Sequence, residues 1–184
     1  MKPVWIATGL LFASTMLFGQ MMKPHAGPPL SPPAAASVVL GGKSISITYS
    51  SPRVRGREGK IFTKDGLIGR DPHYPVWRAG ANAATTLTAQ GDIEIGSLHV
   101  PAGTYTLFVD LSNPKQWTLI VSKATGEWGL AYNPANDLGR TPMTMSKPPK
   151  MVEDLTYKLT GSGSQGTLTL AWENMCASVP ITAH

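Results

Sequence analysis

Apolar and polar positions alternate with a period of two over most of the chain, the spacing of half-buried β-strands rather than helices. Val38 and Leu40, then Ile45, Ile47 and Tyr49, stand at alternate positions on either side of Gly41-Gly42. Two such runs joined by a glycine pair predict a β-hairpin within residues 37–49. Residues 85–89 read as a strand, Ile93 and Ile95 alternate with Asp92 and Glu94, and residues 98–100 lead into a Pro101-Ala102-Gly103 turn. Tyr105, Leu107 and Val109 then share one face, with Thr104, Thr106 and Phe108 on the other. The pattern recurs in Trp117, Leu119 and Val121, in Leu155, Tyr157 and Leu159, in Leu168, Leu170 and Trp172, and in Val179 and Ile181. There is no amphipathic helical stretch; residues 134–138 offer a single turn at best. Short strands at regular spacing with turn signals between them predict an all-β protein, an antiparallel β-sandwich or jelly-roll-like single domain.

Three segments break the pattern. Residues 50–76 lack periodicity and are rich in charges, glycines and prolines, so they are expected to form a long loop with a short strand at 60–62. Residues 20–36 carry Pro24, Pro28, Pro29, Pro32 and Pro33 followed by three alanines. Proline removes backbone donors, so this segment is expected to be a linker that stays out of the sheet, with the sandwich domain spanning 37–184. Residues 1–19 read as a secretory signal: Lys2 precedes an uncharged apolar run at 4–18, too short for a comfortable membrane span, and Gly19 before Gln20 is a plausible cleavage point. The expected localisation is therefore periplasmic or extracellular, with no transmembrane domain after signal cleavage.

Composition adds bounds. A chain of 184 residues suits one domain, and 15% charged against 42% hydrophobic residues is a globular balance rather than a disordered one. Cys176 is the only cysteine, so no internal disulfide forms and the fold rests on its core. The net charge of +5 is concentrated at Arg53, Arg55, Arg57 and Lys60, with Arg70 and Arg78 downstream. A basic loop of this kind is either a solvated surface or a site for an anion. Nucleic acid is not an expected partner, because the loop has no interleaved aromatic platform.

Catalytic motifs are absent. The histidines, His25, His73, His99 and His184, share no metal-ligand spacing, so no metal and no cofactor is expected. Ser164 lies in a Ser-Gly-Ser-Gln-Gly run between two strands, not in a nucleophile elbow between strand and helix. Glu153 and Asp154 are adjacent on a strand and point to opposite faces, and Glu173 is expected to face solvent beside a buried Trp172.

The side chains best suited to binding gather in residues 75–86, Pro-Val-Trp-Arg-Ala-Gly-Ala-Asn-Ala-Ala-Thr-Thr. Trp77 offers a flat apolar surface, Arg78 a planar fork for carboxylate or phosphate, and Asn82 a donor and an acceptor. Trp128 is the other aromatic expected at the surface. Arg78 is expected to tie down the basic loop through backbone carbonyls or a carboxylate such as Asp71, which leaves Trp77 and Asn82 as the stronger pocket candidates.

This stretch resembles the signature of the bacterial domain-of-unknown-function family 2911 in its Trp-Arg-x-Gly-Ala-Asn-x-Ala-Thr-Thr. Tyr-Ser-Ser-Pro-Arg-Val-Arg-Gly-Arg from Tyr49 to Arg57, Val-Pro-Ala-Gly-Thr-Tyr-Thr-Leu-Phe from Val100 to Phe108, Trp128-Gly129 and the ending Trp172-Glu173 with Val179-Pro180-Ile181 are similar to further segments of that family. The resemblance covers residues from about 37 to the C-terminus and implies one exported β domain of unestablished activity. Where the family often has Glu, this chain has Ala83, so a catalytic carboxylate is missing at that point. The expected function is an exported, non-catalytic binding or envelope-associated module whose partner is a small molecule, a glycan or an envelope component. The alternatives are an enzyme acting on a carbohydrate or envelope molecule and a structural assembly component.

Overall fold

The hairpin around Gly41-Gly42 forms in the computed structural model, which describes residues 29–184. β1 (Pro33–Leu40) and β2 (Lys43–Ser50) pair antiparallel from Leu40↔Lys43 at the turn to Pro33↔Ser50 at the far end. Gly41 and Gly42 both take positive φ, 56° and 78°, which a two-residue turn of this hand requires. The expected signal and the first part of the linker lie outside the described residues.

The linker expectation fails at its end, because Pro33, Ala34, Ala35 and Ala36 belong to β1. The strand sits at the edge of its sheet, where the first residue of a strand needs no ladder donor and proline costs little. Ala34 and Ala36 pack against the core. The domain therefore starts before residue 37.

The remaining strands are β3 (Val76–Trp77), β4 (Thr85–Ala89), β5 (Ile93–Ile95), β6 (Leu98–Val100), β7 (Gly103–Asp110), β8 (Thr118–Ser122), β9 (Asp137–Pro142), β10 (Thr144–Ser146), β11 (Val152–Ser162), β12 (Gln165–Glu173) and β13 (Met175–Ala183). One sheet has the order β1-β2-β4-β7-β8-β9 with β3 also on β7; the other has β11-β12-β13-β5-β6 with β10 also on β13. All pairings are antiparallel, and the two sheets pack face to face as a β-sandwich. No α-helix occurs among the described residues; 3₁₀ turns lie at Ile68–Arg70 and Pro134–Asn136. None of the described helical turns is long and apolar enough to cross a membrane.

The inward faces are those the alternation specifies. Tyr105, Leu107 and Val109 of β7 and Leu119 and Val121 of β8 are buried, as are Leu155, Tyr157 and Leu159 of β11 and Leu168, Leu170 and Trp172 of β12. Tyr49 meets Tyr157 across the sandwich edge to face, with centroids 4.8 Å apart. The outer face of β7 is less simple. Phe108 pairs with Ile120 of β8, and both are buried although they face away from the main core. Residues 123–136 fold over them, with the Tyr132 ring 4.8 Å from Phe108. Tyr132 donates to Asp137 Oδ2 at 3.0 Å, Arg140 reaches the same oxygen, and His73 Nε2 lies 3.0 Å from the Leu130 carbonyl oxygen.

The long loop ends as a cap over one end of the sandwich. Val54, Ile61 and Ile68 are buried in the main core. The short strand expected at 60–62 does not form. The Lys60 and Ile61 carbonyls accept from Leu67 and Ile68, so these groups close a turn within the loop instead of joining a sheet. Glu173 also departs from expectation: it is buried, with φ +56°, and accepts the Gly59 N–H. An ionisable group is buried only when something satisfies it, and this loop amide does so.

Candidate functional site

β3 and β4 occupy one strand position that is interrupted. Val76↔Asp110 and Trp77↔Val109 are followed by Thr85↔Leu107 on the same edge of β7, so residues 78–84 leave the sheet opposite Phe108 alone and then return. The excursion is held in place at several points. Ala79 has φ +50° and is fully buried, a conformation that a non-glycine residue keeps only when its surroundings impose it. Its carbonyl accepts from Tyr157 Oη at 2.9 Å and Thr85 Oγ1 at 3.1 Å. Burial is the main cause that pushes the Tyr157 phenol well above its ordinary value, so it stays a donor. The Ala81 N–H donates to the Ser50 carbonyl at the end of β2. Gly80 has no room for a side chain, since a Cβ there would stand 2.7 Å from Thr85 Oγ1.

Where the excursion leaves the sheet it faces the cap loop, and between them lies a cleft of about 250 Å³. Arg53, Arg55 and Arg57 line it from the cap, and Arg78, Gly80 and Ala81 from the excursion. Trp77 and Trp172 supply an apolar side with Leu67 and Ile68. The two indoles stack at 5.8 Å with 19° between their planes, and Phe62 packs edge-on against both.

The four guanidinium groups are differently engaged. Arg53 Nε pairs with Asp154 Oδ1 at 2.6 Å. Arg57 donates to the carbonyls of Val54 and Arg53 at 2.9 and 2.6 Å. Arg55 donates through Nη2 to the Leu30 carbonyl at 3.2 Å, and its backbone N–H is held by Glu153 Oε1 at 2.9 Å. Arg78 is half-buried and makes no side-chain hydrogen bond or ion pair among the described residues. Asp71 lines the same cleft, but its Oδ1 accepts the His73 N–H, not an Arg78 donor.

Arg78 lacks, among the described residues, the carboxylate or backbone carbonyls expected to hold it as a scaffold residue. Its stem packs against Gly129, where any Cβ would collide with Arg78 Cδ. Trp77 is in the cleft wall but only 3% exposed, so most of its surface serves the core. Asn82 is exposed at φ +57°, outside the cleft lining, and its carbonyl accepts the Gly129 N–H. It is a turn residue, for which asparagine is among the few side chains tolerant of that conformation. Trp128 is 59% exposed, outside the lining, and bridges to Ala83 through the backbone. The cleft residues that sequence reasoning kept apart are the arginines of the cap and Trp172. The spacing Arg53-x-Arg55-x-Arg57 was the available signal; Arg78 was expected to meet that loop, but through backbone carbonyls or Asp71 rather than by sharing a cleft with its guanidinium groups.

No curated protein matches the chain. No solved structure matches it either. A family model does match, over residues 31–181, which takes in the hairpin, the cap, the interrupted strand and both sheets. The chain belongs to the family described as Protein of unknown function (DUF2911).

Proposed function

We propose that this protein is an exported, non-catalytic binding module that holds a small acidic ligand in the arginine-lined cleft. The observation that carries this reading is the Arg78 guanidinium, half-buried in a cleft with three other guanidinium groups and joined to no carboxylate or carbonyl among the described residues. Desolvating a cation without a partner is costly, and an anionic ligand offsets that cost. Leu30 and Leu67 give the cleft an accessible apolar side backed by the buried indoles, and the strained, multiply anchored backbone at Ala79 holds the wall before a ligand arrives. Export is supported by the Lys2 and residues 4–18 pattern.

Arg78→Lys tests the reading, because it keeps the charge and removes the planar fork. The expected result is an unchanged melting temperature together with at least a tenfold loss of affinity for small organic acids, measured by titration calorimetry. A tenfold loss corresponds to ~1.4 kcal/mol. A substantially lowered melting temperature, with no acid bound by the unsubstituted protein, would return Arg78 to the scaffold.

A further inference from the structure

We propose that the cleft takes a phosphomonoester, a dianion carried on a compact and partly apolar body. This deepens the acidic-ligand reading above and rests on it.

Charge is the first argument. Four arginines and one aspartate line the cleft. Arg53 is already neutralised by Asp154, at 2.6 Å. Arg55, Arg57 and Arg78 then stand against Asp71, leaving two positive charges uncompensated in the lining. Glu153 and Glu173 accept the backbone amides of Arg55 and Gly59, and neither forms an ion pair with a guanidinium among the described residues. A carboxylate supplies one negative charge, whereas a phosphomonoester carries about −1.5 to −2 near neutral pH.

Geometry is the second. A guanidinium has five N–H donors. Arg57 spends Nε and one Nη2 hydrogen on carbonyls, and Arg55 spends one Nη2 hydrogen on the Leu30 carbonyl. These bonds orient the two forks; among the described residues their other donors are unspent and Arg78 has spent none. Donors therefore come from two separate segments, the cap and the excursion. A planar carboxylate is matched by a single fork, whereas a tetrahedral phosphoryl group presents oxygens in three directions and can engage several at once. The Arg55 backbone is held at φ +51°, with Gly56 following at +68°, and its N–H is anchored on Glu153 Oε1.

Size is the third. At about 250 Å³ the cleft falls below the range of roughly 300–1,000 Å³ typical of drug-sized ligands. Beyond the phosphoryl group that leaves space for about a single ring, for which Leu30 and Leu67 supply the accessible apolar surface, with the indoles of Trp77 and Trp172 buried behind.

Calorimetric titration of the purified protein at low ionic strength with phenyl phosphate, benzenesulfonate and benzoate separates these arguments. Benzenesulfonate keeps the tetrahedral head and ring with one charge, and benzoate is planar with one charge. Phenyl phosphate is expected to bind at least tenfold tighter than either. Arg78→Gln should reduce that affinity at least tenfold without lowering the melting temperature, and Arg53→Gln, whose charge is already paired, should reduce it less than threefold. If benzoate or benzenesulfonate binds as tightly as phenyl phosphate, the dianion assignment is overturned while the acidic-ligand reading stands. If none of the three binds, both fall. Phenyl phosphate bound equally well by Arg78→Gln overturns the assignment to this cleft.

Discussion

Removing both hydroxyls that reach the Ala79 carbonyl should cost the fold more than the sum of removing each alone. Tyr157 Oη and Thr85 Oγ1 donate to that oxygen at 2.9 and 3.1 Å, and Ala79, Thr85 and Tyr157 are all buried. Tyr157→Phe and Thr85→Val each delete one hydroxyl and nearly conserve shape, so each should cost about 1 kcal/mol, the net worth of one hydrogen bond. While one donor remains, the carbonyl is satisfied. With both gone it is a buried acceptor without a partner, a penalty of about 1–3 kcal/mol. The double variant is therefore expected to lose about 3–5 kcal/mol, with about 1–3 kcal/mol as coupling between the two sites. Over most of the usual stability range of about 5–15 kcal/mol a domain survives this loss folded. Urea unfolding followed by tryptophan fluorescence measures it, provided that the slope m stays constant across the four proteins. A coupling within about 0.5 kcal/mol of zero would refute the argument, because the carbonyl would then be satisfied in some other way.

The other expectations are simpler. Leu107 is fully buried on the inner face of β7, so Leu107→Ala should cost about 2–5 kcal/mol in the same assay, and a loss below about 1 kcal/mol would mean that its site collapses or is not packed. Tyr132 is pushed up to about 12 by burial, by its hydrogen bond to Asp137 and by the negative charges of Asp137 and Asp110, against the opposing charge of Arg140. Its folded value lies above the unfolded one, so its contribution to stability is complete below pH ~10 and is lost as the pH rises from there towards 12. Tyr132→Phe should flatten that part of the stability profile, and an unaltered slope between pH 10 and 12 counts against it. Export predicts that the mature protein recovered from the exported fraction begins near Gln20, which N-terminal sequencing checks; an intact Met1 there contradicts cleavage.

Which face of each strand is buried was legible in the residues themselves. Tyr105, Leu107 and Val109 point inward for the reason they alternate, since successive side chains in a strand point to opposite sides and only one side of each strand meets the other sheet. The turn at Gly41-Gly42 is local chemistry and was equally legible, as were the motifs of the family. Lateral neighbours are a different matter. Nothing in a period of two says that residues 76–77 and 85–89 share one edge of β7, because that register is set by pairing partners far along the chain. The same holds for the burial of Phe108 beneath Tyr132, which depends on where residues 123–136 fold, and for Pro33–Leu40 as an edge strand that tolerates its proline. The cleft depends on these long-range choices most of all. Arg53, Arg55 and Arg57 are separated from Arg78 by more of the chain than any local pattern spans, and Trp172 lies farther still. Composition gave each of these residues its chemistry, but whether a guanidinium finds a carboxylate or faces the cleft without one is decided by which segments the two sheets bring to the same end of the sandwich.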